Sequence, residues 1–206
     1  MKLFYAPGAC SIGIHLLLEE IGKPYEAVKV SLRDGPEARA ALDAVNPKGK
    51  VPTIQRDDGV VITEYPVIAN YLAEANPEAK LLPTDADAAI RAAEAVDFCV
   101  ATIHMQGFSR LFRPGNFAPS ESDHEAVKAQ GKQLMEKGFA VMASALGDKD
   151  WVAGTYSIAD SALFYVEYWA AKRMNMTLPP ALAGHLDRML ARPAVQRMLE
   201  AEGLSA

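Results

Sequence analysis

Residues 46–72 read NPKGKVPTIQRDDGVVITEYPVIANYL, and this stretch decides the fold. A short run of β-forming residues over 52–55 and a second run over 60–63 flank the turn residues 57–59, a spacing that predicts a β-hairpin. An apolar helix is predicted to follow over 66–75. A loop with two prolines leads into the hairpin, and an acidic residue stands at the mouth of the helix.

The Val51–Pro52 bond opens the first strand of this hairpin. Proline has no N–H to donate to the hydrogen-bond ladder, and this loss does least damage at the start of a strand. The cis form of an X–Pro bond is also tolerated in a tight turn. With a cis bond, we expect the backbone N–H and C=O of Val51 to point into solvent, where they can pair with an extended peptide. Glu64 begins the following helix, beside backbone donors that attract a carboxylate. The stretch therefore predicts a small peptide-binding site.

The composition is typical of a globular protein and argues against several functions. The chain has 206 residues, 50% of them apolar and 23% charged, which is enough apolar material for a core. The net charge of −5 and the pI of about 5.4 argue against a general affinity for nucleic acids or acidic membranes. No apolar run approaches the roughly 20 residues that span a bilayer. Residues 1–5 predict a strand rather than a signal peptide, so we expect a cytoplasmic protein.

The order of the elements predicts two domains. Residues 1–78 predict the order β-α-β-α-β-β-α, a proline-bearing linker covers 79–86, and residues 87–206 show helical patterns only. Strands and helices followed by helices alone indicate an α/β domain and then an all-α domain. The first domain's other predicted elements are strands over 2–5 and 25–30 and helices over 11–22 and 36–45. The second domain's predicted helices cover 87–112, 122–146, 157–172, 180–191 and 194–202.

Cys10 is the first candidate for chemistry, because it lies between a loop and the first turn of the helix 11–22. A helix N-terminus lowers the pKa of a thiol from about 8.5 by favouring the thiolate. Ser11 follows directly and is expected either to cap that helix or to donate to a sulfur anion. The alternative is that Cys10 is a small, half-buried apolar residue in a loop. No second cysteine stands at Cys-x-x-Cys spacing, which argues against a dithiol redox cycle.

Other residues carry weaker signals. Cys99 lies in a long apolar helix, where core packing is the expected role. His104, on the same helix, is by itself more typical of a surface residue or a hydrogen-bonded interior residue. Two cysteines without ligand spacing predict neither a disulfide framework nor a metal site. Residues 157–160 read SIAD, the Ser-x-x-acid form of a capping box, which indicates a helix start rather than catalysis.

Several short segments stand in a specific joint order and spacing over essentially the whole chain. They are KLFYAPGACS at 2–11, NPKGKVP at 46–52, TE at 63–64, IANYL at 68–72, GFSRLF at 107–112, SIAD at 157–160, Trp169 and ARPAV at 191–195. In these segments the chain resembles the cytosolic glutathione S-transferases, and in particular the bacterial beta class. The resemblance implies a thioredoxin-like N-terminal domain, an all-helical C-terminal domain and a homodimer with a glutathione site in each subunit. Glutathione is then a co-substrate, and no other cofactor is implied.

The resemblance also implies roles for matching positions. The backbone of Val51, beside a cis Pro52, would pair with the cysteinyl part of glutathione. Cys10 would approach the glutathione sulfur and can form a mixed disulfide with it, and His104 would line the same pocket. The further residues implied to bind glutathione are Ala9, Lys50, Glu64 and Tyr65, of which the last two would meet the γ-glutamyl end.

Two positions depart from the family pattern. Tyr65 stands where members usually carry Ser or a small residue such as Gly, so the contact of that hydroxyl with the γ-glutamyl carboxylate must come from the backbone N–H of Tyr65 or be lost. We also expect the Tyr65 ring to narrow the site. Asp97 stands where the beta class often has Asn. In related classes an Asp near this place reaches the γ-glutamyl ammonium from the partner subunit, and the alternative for Asp97 is a surface acid.

The leading hypothesis is the conjugation of glutathione to small hydrophobic electrophiles. A thiol with a pKa near 8.5 is only a few per cent ionised at neutral pH, so the site must stabilise the thiolate. The start of the first helix with Cys10, Ser11 and His104 is expected to supply the donors. The residues expected to line an apolar cleft for the acceptor are Met105, Phe108, Phe112 and Trp169.

Two alternatives remain open. One is a glutaredoxin-type enzyme that exchanges thiols and disulfides through Cys10. The other is a non-catalytic ligand-binding protein with the same fold, which the bulky Tyr65 favours, since a fold alone does not decide function.

Overall fold

The structure is a computed structural model that describes residues 1–206, and they form two compact units. The first comprises residues 1–82 and 188–206, and the second comprises residues 83–187. The predicted helical domain, 87–206, therefore includes a C-terminal segment that the structure groups with the first unit. The physical reason is that the last helix packs on the first helix of the chain, as described below.

The first unit is built on a four-stranded sheet with the strand order β2-β1-β3-β4. Strand β1 runs parallel to β2 and antiparallel to β3, and β3 and β4 form the predicted hairpin. This is the thioredoxin-like arrangement, and it confirms the predicted order of elements. The elements are β1 (Lys2–Tyr5), α1 (Ser11–Ile21), β2 (Glu26–Lys29), α2 (Ala40–Asp43), β3 (Thr53–Gln55), β4 (Val61–Thr63), α3 (Tyr65–Ala75) and, from the C-terminal segment, α9 (Pro193–Glu202).

Helix α1 is the centre of the first unit. Every residue from Ser11 to Leu18 is buried, which is typical of a helix covered on all sides. Gly22 ends the helix in the left-handed conformation, with φ of 69°, and its N–H donates to Leu18 O. Helix α9 packs along α1, where Arg192 bonds Glu20 and Arg197 bonds Glu19, each with an N···O distance of 2.7 Å.

Two local predictions in this unit have different outcomes. The Val51–Pro52 bond is cis, as expected. The segment predicted as a helix over 36–45 is only a 3₁₀ turn, Glu37–Arg39, followed by the single-turn helix α2. Of these residues only Leu42 is buried, so the segment has little apolar surface with which to dock a longer helix.

The second unit is helical, as predicted. Its elements are α4 (Ala86–Asp97), which continues as π-helical turns over Phe98–Phe108 and as α5 (Ser109–Phe112), then α6 (His124–Leu146), α7 (Ile158–Tyr168) with π-helical turns over Trp169–Arg173, and α8 (Pro180–Leu190), which extends across the unit boundary. None of the chain's helices has the length and apolar content that crossing a bilayer requires.

Helix α7 is the buried centre of the second unit, and all of its residues are buried. The predicted capping box starts it: Asp160 Oδ2 accepts from the Ser157 N–H at 2.8 Å, and Ser157 Oγ accepts from the Ala159 N–H at 3.3 Å. Helix α6 packs closely on Phe98–Phe108, because Gly131 meets the backbone at Gly107. A Cβ at Gly131 would lie only 2.8 Å from Gly107 O.

Candidate functional site

The predicted site residues fall into two groups, one in each unit. In the first unit the structure brings Cys10 and Val51 together, since Cys10 Sγ donates to Val51 O at 3.3 Å. Cys10 is partly exposed and is the N-cap residue of α1, with its backbone already helical. A thiol at this place is next to the partial positive charge of a helix N-terminus. This confirms the expected position of the thiol.

The structure corrects the expected role of Ser11. Its hydroxyl is buried, accepts from the Ala6 N–H at 3.3 Å and donates to Ala6 O at 3.3 Å. Cys10 occupies the N-cap position without a side-chain capping bond, so the prediction that Ser11 caps α1 is wrong. The one hydroxyl proton of Ser11 points at Ala6 O rather than at a sulfur. The Ser11 side chain therefore closes the β1–α1 loop. It supplies hydrogen bonds to the buried N–H and C=O of Ala6, which follows the end of β1.

The backbone of Val51 is less open than the sequence predicted. The residue is buried, and its C=O is already occupied by the Cys10 thiol. Asn46, which sequence reasoning did not single out, fixes the loop before it: Asn46 Nδ2 donates to Lys50 O at 3.1 Å and to Thr53 Oγ1 at 2.8 Å. Lys50 presents an exposed side chain. The Asn-Pro pair at 46–47 was the available sequence signal for this turn.

Glu64 has the unusual backbone that functional residues often have. Its φ is 71° and its ψ is 125°, a positive-φ backbone outside the left-handed helical region, which costs a non-glycine residue on the order of 1–3 kcal/mol and is enriched at ligand sites. Its side chain is half-exposed, and its carboxylate lies 2.7 Å from Lys48 Nζ, which also donates to Thr63 Oγ1 at 2.8 Å. The structure thus places a carboxylate and an ammonium together at the N-terminus of α3.

Tyr65 follows Glu64 as the first residue of α3. Its side chain is only 4% exposed, so the ring fills buried space instead of projecting into solvent. The predicted effect of the ring on the width of the site stays a prediction. Ala9, in the loop before Cys10, is partly exposed, and its N–H donates to Ala6 O at 2.9 Å.

In the second unit His104 is part of an aromatic cluster. Its ring stands edge-on to Trp169 with 4.7 Å between centroids, and its Nδ1 lies 3.4 Å from the hydroxyl of Tyr165. His104 and Trp169 were both expected at the site, and the structure does bring them together. Tyr165 was missed, because a buried tyrosine in an apolar helix gives no local signal of its partner.

Of the other predicted acceptor residues, Phe108 and Phe112 belong to the same cluster, and they differ in exposure. Phe108 is fully buried, stacks on Phe112 at 5.6 Å and meets Trp169 edge-on at 5.2 Å. Phe112 and Met105 are 39% and 43% exposed. Phe108 therefore supports the cluster from beneath, and Trp169 is only 4% exposed, so a cleft for the acceptor lined by these two rings stays a prediction. Phe112 and Met105 are the predicted acceptor residues with a substantial exposed apolar surface.

Asp97 is exposed at the end of α4. It borders a cavity of about 830 Å³ between α4 and α6, whose lining includes Phe98, Val141 and Lys149. None of the residues that line this cavity belongs to the aromatic cluster around His104. A contact of Asp97 with a γ-glutamyl ammonium stays a prediction.

Comparison with known proteins places the chain in one family. A family model described as the N-terminal domain of glutathione S-transferase matches residues 8–75. The glutathione S-transferase GstA of Escherichia coli O157:H7 is 39% identical over 208 residues, covering 99% of this chain and 100% of that protein. Two solved structures each share 33% identity and cover 100% of both chains: a bacterial beta class glutathione S-transferase of Sphingomonas chungbukensis, with a TM-score of 0.83, and a sphingomonad glutathione S-transferase complexed with glutathione, with a TM-score of 0.84. The chain therefore belongs to the glutathione S-transferase family, within which it resembles the bacterial beta class.

Proposed function

We propose that the protein conjugates glutathione to small hydrophobic electrophiles, with glutathione as its co-substrate. The observation that carries the proposal is the Cys10 thiol at the start of α1, 3.3 Å from Val51 O and beside the cis Val51–Pro52 bond. A thiol-bearing peptide laid along Val51 would have its sulfur at the same helix N-terminus. The partial positive charge there favours a thiolate.

Binding of the tripeptide would exchange one hydrogen bond for another at Val51. A thiol is a weak donor, so the amide N–H of the cysteinyl residue would displace Cys10 Sγ from Val51 O. The Cys10 thiol would then be released towards the sulfur of the tripeptide. We infer that Cys10 contacts the sulfur of the bound tripeptide.

The γ-glutamyl end would lie at the start of α3. Glu64 offers a carboxylate to its ammonium group, and the backbone donors there suit its carboxylate. The Glu64–Lys48 ion pair is exposed, so its contribution to stability is about 0–1 kcal/mol. A ligand can therefore replace Lys48 as the partner of Glu64. The exposed faces of Phe112 and Met105 would meet the electrophile.

The family further suggests a homodimer. Large apolar side chains are exposed on each unit, among them Val67 on α3 and Ile90 on α4, which suits burial against a second copy. In such a dimer Asp97 would reach the site of the partner subunit. Light scattering after size-exclusion chromatography tests the stoichiometry. A cytoplasmic location stays a prediction.

Binding and turnover together test the proposed function. Calorimetry should show saturable heat with glutathione at millimolar concentrations or below, and a chromogenic aryl halide should be consumed in a glutathione-dependent reaction. Cys10→Ala should keep substantial conjugation, because the sulfur of glutathione itself attacks the electrophile. Complete loss of activity in Cys10→Ala, with release of glutathione from mixed disulfides by the wild type, would instead support thiol–disulfide exchange. Binding without turnover of either kind would support a carrier.

A further inference from the structure

We propose that Glu202, in the last turn of α9, is a positioning residue for Cys10. Its carboxylate holds the middle of the β1–α1 loop and so fixes the thiol at the start of α1. The importance of this placement for catalysis rests on the proposed function, whereas its effect on the reactivity of the thiol does not.

Glu202 makes two short hydrogen bonds inside the first unit. Its Oε2 accepts from the Gly8 N–H at 2.8 Å, and its Oε1 accepts from His15 Nδ1 at 2.7 Å. The side chains of Glu202 and His15 are both fully buried. A buried carboxylate is costly unless donors satisfy its oxygens, and here each oxygen has one. The two bonds therefore hold one carboxylate between the loop and the buried face of α1.

His15 makes this carboxylate rigid. Its ring packs against Tyr5 at 5.1 Å and edge-on to Tyr25 at 5.7 Å, and its Nε2 is buried without a hydrogen-bond partner. The orientation of the ring thus depends on Glu202 for polar contact and on the two tyrosines for packing. Because a carboxylate can only accept, Nδ1 carries the proton in this pair.

Gly8 is the residue of the β1–α1 loop through which Glu202 acts on the position of Cys10. Its φ of 68° turns the Gly8 N–H inwards to Glu202, a conformation that glycine adopts at little cost. Two residues later Cys10 is the N-cap residue of α1. The loop is then held at three points: Ser11 binds Ala6, Glu202 binds Gly8 and Val51 binds the thiol itself.

This contact differs from the other bonds between α9 and α1. Arg192 and Arg197 bind Glu20 and Glu19 at the C-terminal end of α1, away from the loop, and their side chains are partly exposed. Loss of either pair would loosen the docking of α9 without freeing the Gly8 amide. Arg197 therefore provides a matched control on the same helix.

The test compares E202M, E202Q and R197M. Methionine has an unbranched side chain of similar length but lacks both acceptor oxygens, and glutamine keeps one carbonyl acceptor. The first measurement is the rate at which iodoacetamide alkylates Cys10 in the folded protein. Cys99 is fully buried, so Cys10 is the thiol that reacts, and a Cys10→Ser variant gives the blank. The second measurement is kcat and KM for glutathione in the conjugation assay.

We expect E202M to slow alkylation about tenfold, because iodoacetamide attacks the thiolate and a thiol displaced from the helix N-terminus has less thiolate character. We expect kcat to fall only about threefold and KM for glutathione to stay within about twofold, because the sulfur of glutathione attacks and Val51 and Glu64 still bind the peptide. E202Q should recover alkylation to within about threefold of the wild type, and R197M should match the wild type.

Wild-type alkylation in E202M would overturn the proposal, as would an equal loss in R197M. If the wild type does not turn glutathione over, the conjugation proposal fails, while the alkylation rates still decide the role of Glu202. If E202M does not fold, amide hydrogen exchange of the wild type decides. The Gly8 N–H should exchange slowly, and exchange at the rate of an open loop would overturn the proposal.

Discussion

His185 Nδ1 lies 2.8 Å from Glu167 Oε2, and both side chains are fully buried in the second unit. The Nε2 of the same ring lies 3.3 Å from Oδ1 of Asp160 in the capping box of α7. Burial by itself lowers the pKa of His185, but the charge of Glu167 and the hydrogen bonds to both carboxylates outweigh it and raise the pKa to about 9. His185 is therefore protonated at neutral pH and holds two buried carboxylates together.

The stability of the protein should consequently depend on pH in the alkaline range. The pKa of His185 is higher in the folded state, about 9, than its ordinary value of 6.5, so its contribution is fully present below pH 6.5 and is lost as pH rises through 9. The loss should be on the order of 3 kcal/mol. Urea unfolding between pH 6 and pH 9.5 measures it as a fall in the free energy of unfolding.

Variants separate this histidine from other titrating groups. Glu167→Gln removes the charge that most raises the pKa of His185, so the decline in stability should begin at a lower pH. His124→Gln removes a histidine that bonds only partly buried backbone, at Ala118 O, and should leave the pH profile unchanged. A wild-type stability that is flat from pH 6 to 9.5 would contradict the proposed charge state.

Ser11→Ala should destabilise the fold rather than abolish chemistry. The change removes the acceptor of the buried Ala6 N–H, which costs about 1–3 kcal/mol, whereas Ala6 O still accepts from the Ala9 N–H. Conjugation per folded molecule should stay within about threefold of the wild type. Thermal unfolding and kcat check the two expectations, and Ser109→Ala, at a partly exposed serine, is the control. A stable but inactive Ser11→Ala protein would restore Ser11 as a catalytic donor.

Phe108 and Phe112 should respond differently to truncation, although their rings stack. Phe108→Ala removes a fully buried ring and should cost about 3–5 kcal/mol of stability. Phe112→Ala removes a partly exposed ring, so it should cost less stability and instead raise KM for a hydrophobic acceptor. Urea unfolding and acceptor kinetics measure both effects. Equal losses of stability with unchanged KM would show that Phe112 is only part of the core.

Gly131→Ala tests the close packing of α6. The added Cβ would lie 2.8 Å from Gly107 O and 2.7 Å from Arg110 Cβ, so the helices must separate, at a cost of about 1–3 kcal/mol. Gly115→Ala meets nothing closer than His124 Nε2 at 3.7 Å and should change stability by about 0.5 kcal/mol or less. Calorimetric melting compares the two, and equal melting temperatures would refute the steric argument.

The sequence by itself determined the order of the elements, because local chemistry controls them. Alternation and turn residues predicted the hairpin after Val51, Gly22 marked the end of α1, and residues 157–160 marked the start of α7. Local patterns failed for residues 36–45, where helix-forming residues lack an apolar face. The joint spacing of short segments also indicated the family and the placement of Cys10 near Val51.

Only the tertiary structure decided which side chains are available for binding or chemistry and which support the fold. Ser11 was predicted to cap α1 or to donate to a sulfur, but its hydroxyl bonds to Ala6. Phe108 and Phe112 could not be told apart by periodicity. Glu202 gave no signal at all, because the Gly8 amide that it binds lies at the opposite end of the chain. Such hydrogen bonds and burial arise from contacts between distant residues, and the folded packing determines them where local preference does not.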